Sequence, residues 1–363
     1  MSILIFFLVL FVLVLVHEWG HFIVAKKSGM RVDEFGIGFP PKLFGWRRGE
    51  TEYTFNLLPI GGFVRIFGED PDKHEDSEAI EGSFSSKSKK AQAAVLIAGI
   101  TMNILFAWLL FMIALMVGVQ SFVAEEDAGA TAQLAITGVL PESPAAVAGV
   151  QPGTVITAAT VEGTTLETLT PGAFTDFVAQ HPGVPVTLAY TYAGEAQQVQ
   201  VVSAPGVLEE AVDRHALGVA LAMVEVVSKP IHVAFVDSAV QTVVALKDIT
   251  IGISALLWDA VRLEADLSTV AGPVGIVGLV DDASALGFTT LLMFTAFISL
   301  NLAVINILPF PALDGGRLLF VAIEALKGSP INPRYVYALN LAGFVLLLLL
   351  MAVVTWNDIA RIR

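Results

Sequence analysis

Residues 3–25 read ILIFFLVLFVLVLVHEWGHFIVA, an apolar run that is interrupted by His17, Glu18 and His21. A stretch of this length and composition can cross a lipid bilayer as one helix. The two histidines are four residues apart and therefore lie on one face of that helix, where both imidazoles can bind one metal ion. Glu18 is then placed to act as a general base beside the metal. The run predicts a membrane span that carries metal chemistry.

A chance match and a signal peptide are both weaker interpretations of this stretch. HExxH can match by chance on an amphipathic core helix, but residues 3–16 contain no polar side chain. Ionisable groups at the centre of a span cost about 2.5–3.5 kcal/mol on insertion scales and are seldom found there without a function. A signal peptide would have a basic start and a small-residue cleavage site. The run has neither, so we expect the segment to be retained.

The composition indicates an α-helical integral membrane protein. Of 363 residues, 55% are hydrophobic and 15% are charged, and the mean hydropathy is +0.74. We expect about four transmembrane helices, within residues 1–25, 91–119, 291–316 and 336–357. Residues 231–290 are expected to form an amphipathic helix and a loop, because acidic and basic side chains interrupt the apolar stretch there. The chain contains no cysteine, which excludes disulfides and thiolate ligands.

The distribution of basic residues predicts the topology. Residues 26–90 hold eleven Lys and Arg, whereas residues 120–230 hold two against twelve acidic residues. By the positive-inside rule the first region is cytoplasmic and the second is extracytoplasmic. At 1.5 Å per residue, His17 lies roughly 13 Å of helix from Lys26. We therefore expect a multi-pass protein of the cytoplasmic (inner) membrane whose metal site lies in the cytoplasmic leaflet.

A catalytic zinc ion needs three protein ligands and one open position. The best candidate for the third ligand is Asp314, the only carboxylate in residues 306–316, NILPFPALDGG. Pro309 and Pro311 should unwind the helix there. Irregular backbone at membrane depth is tolerated only where protein or a water-filled cavity surrounds it. An ordinary cytoplasmic loop is the alternative, but it leaves the two histidines without a third ligand.

HEWGH at residues 17–21 and NILPFPALDG at residues 306–315 together resemble the site-2 protease family of intramembrane zinc metalloproteases, peptidase family M50, of the bacterial type that regulates sigma factors. The resemblance implies that Zn²⁺ is bound by three side chains, those of His17, His21 and Asp314. It also implies that Glu18 is the catalytic base and acid, and that Asn306 holds substrate or stabilises the oxyanion. Asn306 could instead join two helices by a hydrogen bond, and we read Asn103 and Asn340 in that way.

Two further stretches resemble this family. GIGFP at residues 36–40 and PIGGFV at residues 59–64 are similar to a cytoplasmic insert, a β-hairpin that re-enters the membrane near the active site. The resemblance implies that substrate is bound beside five residues: Gly36, Gly61, Gly62, Pro309 and Pro311. AGITMN at residues 98–103 stands where bacterial members usually have Gly-Pro-x-x-Asn, although the proline is absent here.

Residues 120–230 are expected to form a small α+β domain, because short β-rich runs alternate there with Gly and Pro. We predict strands at residues 133–140, 153–161, 184–193 and 197–202 and a helix at residues 173–181. The order of these elements over about 130–205 resembles a permuted bacterial PDZ domain, which would bind an extended peptide at a sheet edge. A purely steric role as a gate is an equal alternative. GPVG at residues 272–275 resembles a family loop, and we assign it no chemistry.

The expected activity is that of a zinc metalloendopeptidase that hydrolyses peptide bonds within transmembrane segments of single-pass membrane proteins. Such regulated intramembrane proteolysis would act, for example, on an anti-sigma factor or a signal-peptide remnant. The expected partners are these substrates, the lipid bilayer and a peptide ligand of the PDZ-like domain, but no nucleic acid. A non-proteolytic zinc-binding scaffold is the main alternative, and the presence of Glu18 argues against it. A zinc transporter would carry His or Asp along several helices, whereas one compact site is visible.

Overall fold

The computed structural model describes residues 2–69, 81–207, 214–262, 264 and 270–362. Parts of the expected insert (70–80), outer region (208–213) and following loop (263 and 265–269) lie outside the described residues. The chain forms two compact units. We call the first the helical unit (Met1–Met112, Phe235–Asp281 and Leu292–Arg363) and the second the sheet unit (Ile113–Ala234 and Asp282–Leu291).

The helices, in chain order, are α1 Ser2–Lys27, α2 Lys89–Val117, α3 Pro144–Val147, α4 Pro171–Gln180, α5 Ile231–Val261, α6 Pro273–Ala285, α7 Phe288–Ile307, α8 Asp314–Lys327 and α9 Pro333–Ile362. The strands are β1 Val32–Arg48, β2 Thr51–Ile66, β3 Val119–Val123, β4 Gln133–Val139, β5 Thr154–Val161, β6 Thr164–Thr165, β7 Pro185–Tyr192, β8 Glu195–Val202 and β9 Val219–Val227.

Among the described residues, five helices are long and apolar enough to cross a membrane: α1, α2, α5, α7 and α9. The expected number of four is therefore not confirmed. The additional candidate is α5, an uninterrupted helix of 31 residues in which the charged side chains are spread widely enough to leave an apolar window. Its hydropathy of 1.5 is the lowest of the five, against 2.0–2.5 for the others.

The expected insert is a β-hairpin in the structure. Strands β1 and β2 pair antiparallel, with Val32 opposite Ile66 at the open end and Arg48 opposite Thr51 at the turn. The open end is buried against α1 and α2, in a cluster that includes Phe22, Phe35 and Leu96. The other half of the hairpin exposes large apolar side chains, Phe39, Leu43, Phe44, Trp46, Leu57 and Leu58.

Small residues allow the helices of the helical unit to approach closely. A Cβ on Gly20 of α1 would lie 2.5 Å from the Ala98 carbonyl oxygen of α2. Farther along α2, Ala107 and Phe111 share a buried cluster with Ala245 of α5 and with residues of α7. Helix α2 is continuous through residues 98–103, where this chain lacks the proline of the similar motif.

The GPVG segment binds the last helix. Asp358 in the final turn of α9 is 4% exposed. Its carboxylate accepts hydrogen bonds from the backbone N–H of Gly272 (3.1 Å) and of Gly275 (2.8 Å). A carboxylate is favoured at this point because the first amides of a helix have no partners within it. The motif therefore anchors the start of α6 on α9.

The sheet unit contains one antiparallel sheet with the strand order β3-β9-β4-β5-β7-β8, and β6 pairs with β5. Strands β4, β5, β7 and β8 and helix α4 lie where the sequence predicts four strands and a helix. Strands β3 and β9 were not predicted. Strand β3 begins two residues after α2, and its apolar side chains are indistinguishable in sequence from the end of a span. The core includes Leu134, Phe174 and Leu188.

Candidate active site

Three predicted ligand residues converge in the helical unit. His17 and His21 are buried, and their Nε2 atoms are 3.0 Å apart. Asp314 Oδ2 lies 2.9 Å from His17 Nε2 and 3.3 Å from His21 Nε2. Within the described part of the chain, this is the only group of three or more His, Cys, Asp or Glu side chains that could hold a metal ion.

The donor set fits a catalytic zinc ion. At a zinc–nitrogen distance of about 2.0–2.1 Å, tetrahedral ligand atoms are about 3.3 Å apart, close to the separations of these three atoms. Two imidazoles and one carboxylate leave the fourth position open for water or substrate. His181 and His215 bond instead to backbone carbonyls of the sheet unit, whereas His74 lies outside the described residues.

Helix α2 supplies contacts that orient both histidines. His21 Nδ1 donates to the Val95 carbonyl oxygen at 2.8 Å, which leaves Nε2 of that ring for the metal. On the other ring, Nδ1 of His17 lies 3.2 Å from the amide nitrogen of Asn103, whose Oδ1 is buried and has no partner among the described residues. A half-turn of that amide would let Oδ1 accept a hydrogen from Nδ1. Asn103 thus suits a metal-bound His17.

Sequence reasoning treated Asn103 as a residue that joins two helices and gave no role to Gly99. A Cβ on Gly99 would lie 2.7 Å from His21 Cε1 and 2.8 Å from His17 Cε1, so only glycine leaves room for both rings. The AGITMN motif was the available signal, because Gly99 and Asn103 are four residues apart and share one face of α2.

Glu18 projects toward the hairpin. Its Oε2 accepts a hydrogen bond of 3.0 Å from the backbone N–H of Val64 in β2. The contact joins the residue that follows the first ligand to β2 near the open end of the hairpin, where Val64 is opposite Phe35. The hairpin therefore borders the candidate active site, as the resemblance implied.

The turn before α8 brings Asp314 to the histidines. Helix α7 ends at Ile307 and α8 begins at Asp314, so the backbone between them is not helical, as the two prolines predict. Gly315 and Gly316 pack against backbone carbonyls of residues 307–310, where a side chain would clash.

Two ion pairs join helix α8 to earlier parts of the chain. Arg317 forms an ion pair with Glu69. Farther along α8, Glu324 accepts from Lys89 Nζ at 2.6 Å.

Comparison with known proteins identifies the family. The sequence model of Peptidase family M50 matches residues 5–350. This chain belongs to peptidase family M50. A zinc metalloprotease RasP of Oceanobacillus iheyensis is 33% identical over 98% of both chains. A putative zinc metalloprotease of Clostridium perfringens is 36% identical over 96% of this chain and 95% of that one. The regulator of sigma-W protease RasP of Bacillus subtilis is 29% identical over 99% of both chains.

The remaining predicted residues of this M50 protease lie at the end of α7, in the turn before α8 and in the hairpin. Asn306 is in the last turn of α7 and partly buried, and in the described part of the chain its side chain forms no hydrogen bond. Pro309 is exposed and Pro311 partly buried in the turn before α8. In the hairpin, Gly36 is opposite Phe63 and Gly62 is opposite Ile37. Gly61 has a φ of 144° and packs near Phe39 and Val14.

Proposed function

We propose that this chain is an intramembrane zinc endopeptidase that cuts within the transmembrane segments of single-pass membrane proteins. The observation that carries the proposal is the convergence of His17, His21 and Asp314 inside a unit built from apolar helices. The two histidines lie in α1, a candidate membrane span. Glu18 follows the first ligand directly, as the chemistry of a zinc protease requires. Membership of the M50 family agrees with this assignment.

Each residue has a chemical role in this proposal. When bound, zinc makes a water molecule acidic near neutral pH and polarises the scissile carbonyl. His17, His21 and Asp314 hold the ion. Glu18 takes the proton from the attacking water and returns it to the leaving amine. Asn306 offers a side-chain NH₂ to carbonyl oxygens of the substrate. Its amide has no hydrogen-bond partner among the described residues, which supports that role.

The hairpin binds the substrate in extended form. Its exposed apolar half supports insertion into the membrane, because large apolar side chains are otherwise rarely gathered on a surface. The bond from the Val64 N–H to Glu18 supports this role, because it joins β2 to the proposed base. An extended segment could therefore pair near Gly36, Gly61 and Gly62, and reach the turn that contains Pro309 and Pro311.

The packing of the helices supports four crossings. Helices α1 and α2 are antiparallel, since His17 faces Asn103 and His21 faces Val95. Asp314 follows α7 and meets both histidines, so α7 ends on the side toward which α1 runs. One crossing by α5 would start α7 on that same side. The chain must therefore cross the membrane an even number of times, or not at all, between α2 and α7. Helix α6 has 13 residues and is too short to supply a second crossing. Helix α5 thus packs against the bundle without crossing.

The charge distribution orients this arrangement. Residues 26–90 lie in the cytoplasm and residues 120–230 outside, with the site in the cytoplasmic leaflet of the inner membrane. Because the chain has no cysteine, single cysteines can be introduced at Ser85 and Gly163. An impermeant thiol reagent added to intact cells should label the Gly163 site and leave the Ser85 site unmodified. The reverse pattern would refute the orientation.

The sheet unit is a PDZ-like domain that selects substrates. Its antiparallel strands and the helix α4 have the predicted order, which supports the resemblance. Peptide capture and steric exclusion differ in one respect, because only capture needs a peptide-binding edge. Deleting the domain should slow cleavage of captured substrates if it binds peptides, and should broaden the substrate range if it excludes proteins sterically. Only capture predicts that a soluble peptide competes with cleavage.

Substrates include an anti-sigma factor, since a relative is named a regulator of sigma-W protease. The decisive experiment compares membranes that contain the active protein with membranes that contain Glu18→Gln. We expect the variant to retain zinc and to accumulate uncut single-pass proteins, which proteomics would identify. Equal substrate levels in both membranes, with zinc bound in both, would favour a non-proteolytic scaffold.

A further inference from the structure

We propose that Asn340 of α9 is a positioning residue for Asp314: it holds the turn that carries this ligand through the backbone amide of Ala312. The inference rests on the proposed role of Asp314 as a zinc ligand. In the described part of the chain, Asn340 forms no hydrogen bond to His17, His21 or Asp314, and its bond is to the backbone of Ala312. Its effect passes along two residues of backbone.

The turn between α7 and α8 contains an unfavourable backbone conformation. Ala312 has a φ of +74°, in the left-handed region that residues with a Cβ rarely adopt. Ala312 is exposed, so its side chain gains nothing from packing there. Such a conformation persists only where surrounding contacts require it. Asp314 is two residues away, so those contacts also determine where the carboxylate lies.

Two successive turns of α9 supply the contacts. Asn340 Oδ1 accepts a hydrogen bond of 3.2 Å from the Ala312 N–H. Three residues later and on the same face, Gly343 packs directly on Pro311. A Cβ on Gly343 would lie 2.6 Å from the Pro311 carbonyl oxygen and 2.7 Å from Pro311 Cβ. The helix thus fixes two consecutive residues of the turn.

The surroundings of Asn340 make this bond significant. It is the only amide or charged side chain between Val336 and Trp356 of a strongly apolar helix. Its neighbours Leu339 and Leu341 are about half exposed, at 48% and 49%, so this part of α9 has few other contacts. In an apolar environment an amide without a partner is unfavourable. Asn340 therefore keeps its bond to the turn.

The test is zinc release from the purified full-length protein, followed with a chromophoric chelator. Asn340→Ala should release zinc about tenfold faster than the unmodified protein, the size of effect seen for supporting residues of metal sites. Leu341→Ala is the matched control, since it shortens an adjacent exposed side chain. Thermal unfolding of both variants reports whether either has lost its fold.

A second substitution separates positioning from general loosening. Glycine adopts a positive φ freely, so Ala312→Gly added to Asn340→Ala should restore slow zinc release. A structural defect elsewhere in α9 would not respond to that change. Release from Asn340→Ala at the rate of Leu341→Ala, or no recovery in the double variant, would overturn the proposal.

Hydrogen exchange of the metal-free protein provides a readout that does not depend on zinc. The peptide that spans residues 308–316 should exchange faster in Asn340→Ala and remain unchanged in Leu341→Ala. If exchange changes as expected but Asp314→Ala still retains zinc, then Asn340 holds the turn but the proposed ligand is wrong. Unchanged exchange would refute the role of Asn340 whatever binds the metal.

Discussion

Gly99 of α2 and His21 of α1 are in direct contact, and a Cβ on the glycine would lie 2.7 Å from His21 Cε1. The same Cβ would also meet the ring of His17. The position of the two rings in the candidate metal site therefore depends on the absence of a side chain at this residue of the neighbouring helix. This contact accounts for a glycine at the centre of an otherwise well-formed span.

Gly99→Ala should weaken zinc binding by about tenfold or more, because both rings must move away from their ligand positions. Zinc content after dialysis against a weak chelator measures the effect. Gly252→Ala in α5 is the matched control, since a Cβ there meets nothing within 4 Å. If both variants retained zinc equally, the contact would have no bearing on the site.

Asn103 should act on zinc through His17. Asn103→Leu removes the acceptor for the Nδ1 hydrogen of that ring, and we expect zinc affinity to fall by about 10–100-fold. Asn103→Asp keeps an acceptor and should bind zinc more tightly than the leucine variant. Asn301→Leu serves as control, because the bond that Asn301 forms in the described part of the chain is to the Phe297 carbonyl of its own helix. Equal zinc affinities of the aspartate and leucine variants would contradict this role.

Asp358 should stabilise the helical unit. Asp358→Ala leaves the backbone N–H groups of Gly272 and Gly275 without partners, and we expect the free energy of unfolding to fall by about 1–3 kcal/mol. Asp358→Asn retains one acceptor oxygen, so its free energy of unfolding should lie between those of the unmodified protein and Asp358→Ala. Thermal unfolding in detergent measures the order. Asp259→Ala, at an exposed position of α5, should unfold like the unmodified protein, and an equal loss there would count against the specific contact.

Cleavage should depend on how easily the substrate helix unwinds. A helical amide is hydrogen-bonded and screened by side chains, so it cannot be attacked until the helix opens locally. Substrates with Gly, Pro, Ser or Asn in the cytoplasmic half of their span should be cut faster than versions with Leu at those positions. Rates measured in proteoliposomes, at matched levels of insertion, test this. Equal rates for both would exclude unwinding as a requirement.

Local patterns were sufficient to predict much of the molecule. Two histidines four residues apart share a helix face in any helix, so the pair at 17 and 21 was predictable from spacing alone. The apolar runs predicted α1, α2, α7 and α9, and Pro309 and Pro311 predicted the break before α8. Four strands of the sheet unit followed from alternating β-rich runs. Strands β3 and β9 were not predicted. The sequence of β3 looks like the end of the membrane span that precedes it.

Sequence by itself thus determined what depends on neighbouring residues, namely helix faces, apolar length, charge bias and helix breaks. Asp314 was predicted as the third ligand from its motif, and the tertiary structure brings it to His17 across 297 residues of sequence. Only the tertiary structure decided that Gly99 and Asn103 contact the histidines and that Asn340 bonds to the turn before α8. These contacts depend on which helices pack together and on how the helices are shifted along their axes relative to one another. Packing is set by the close fit of many side chains at once, and no short segment contains that information.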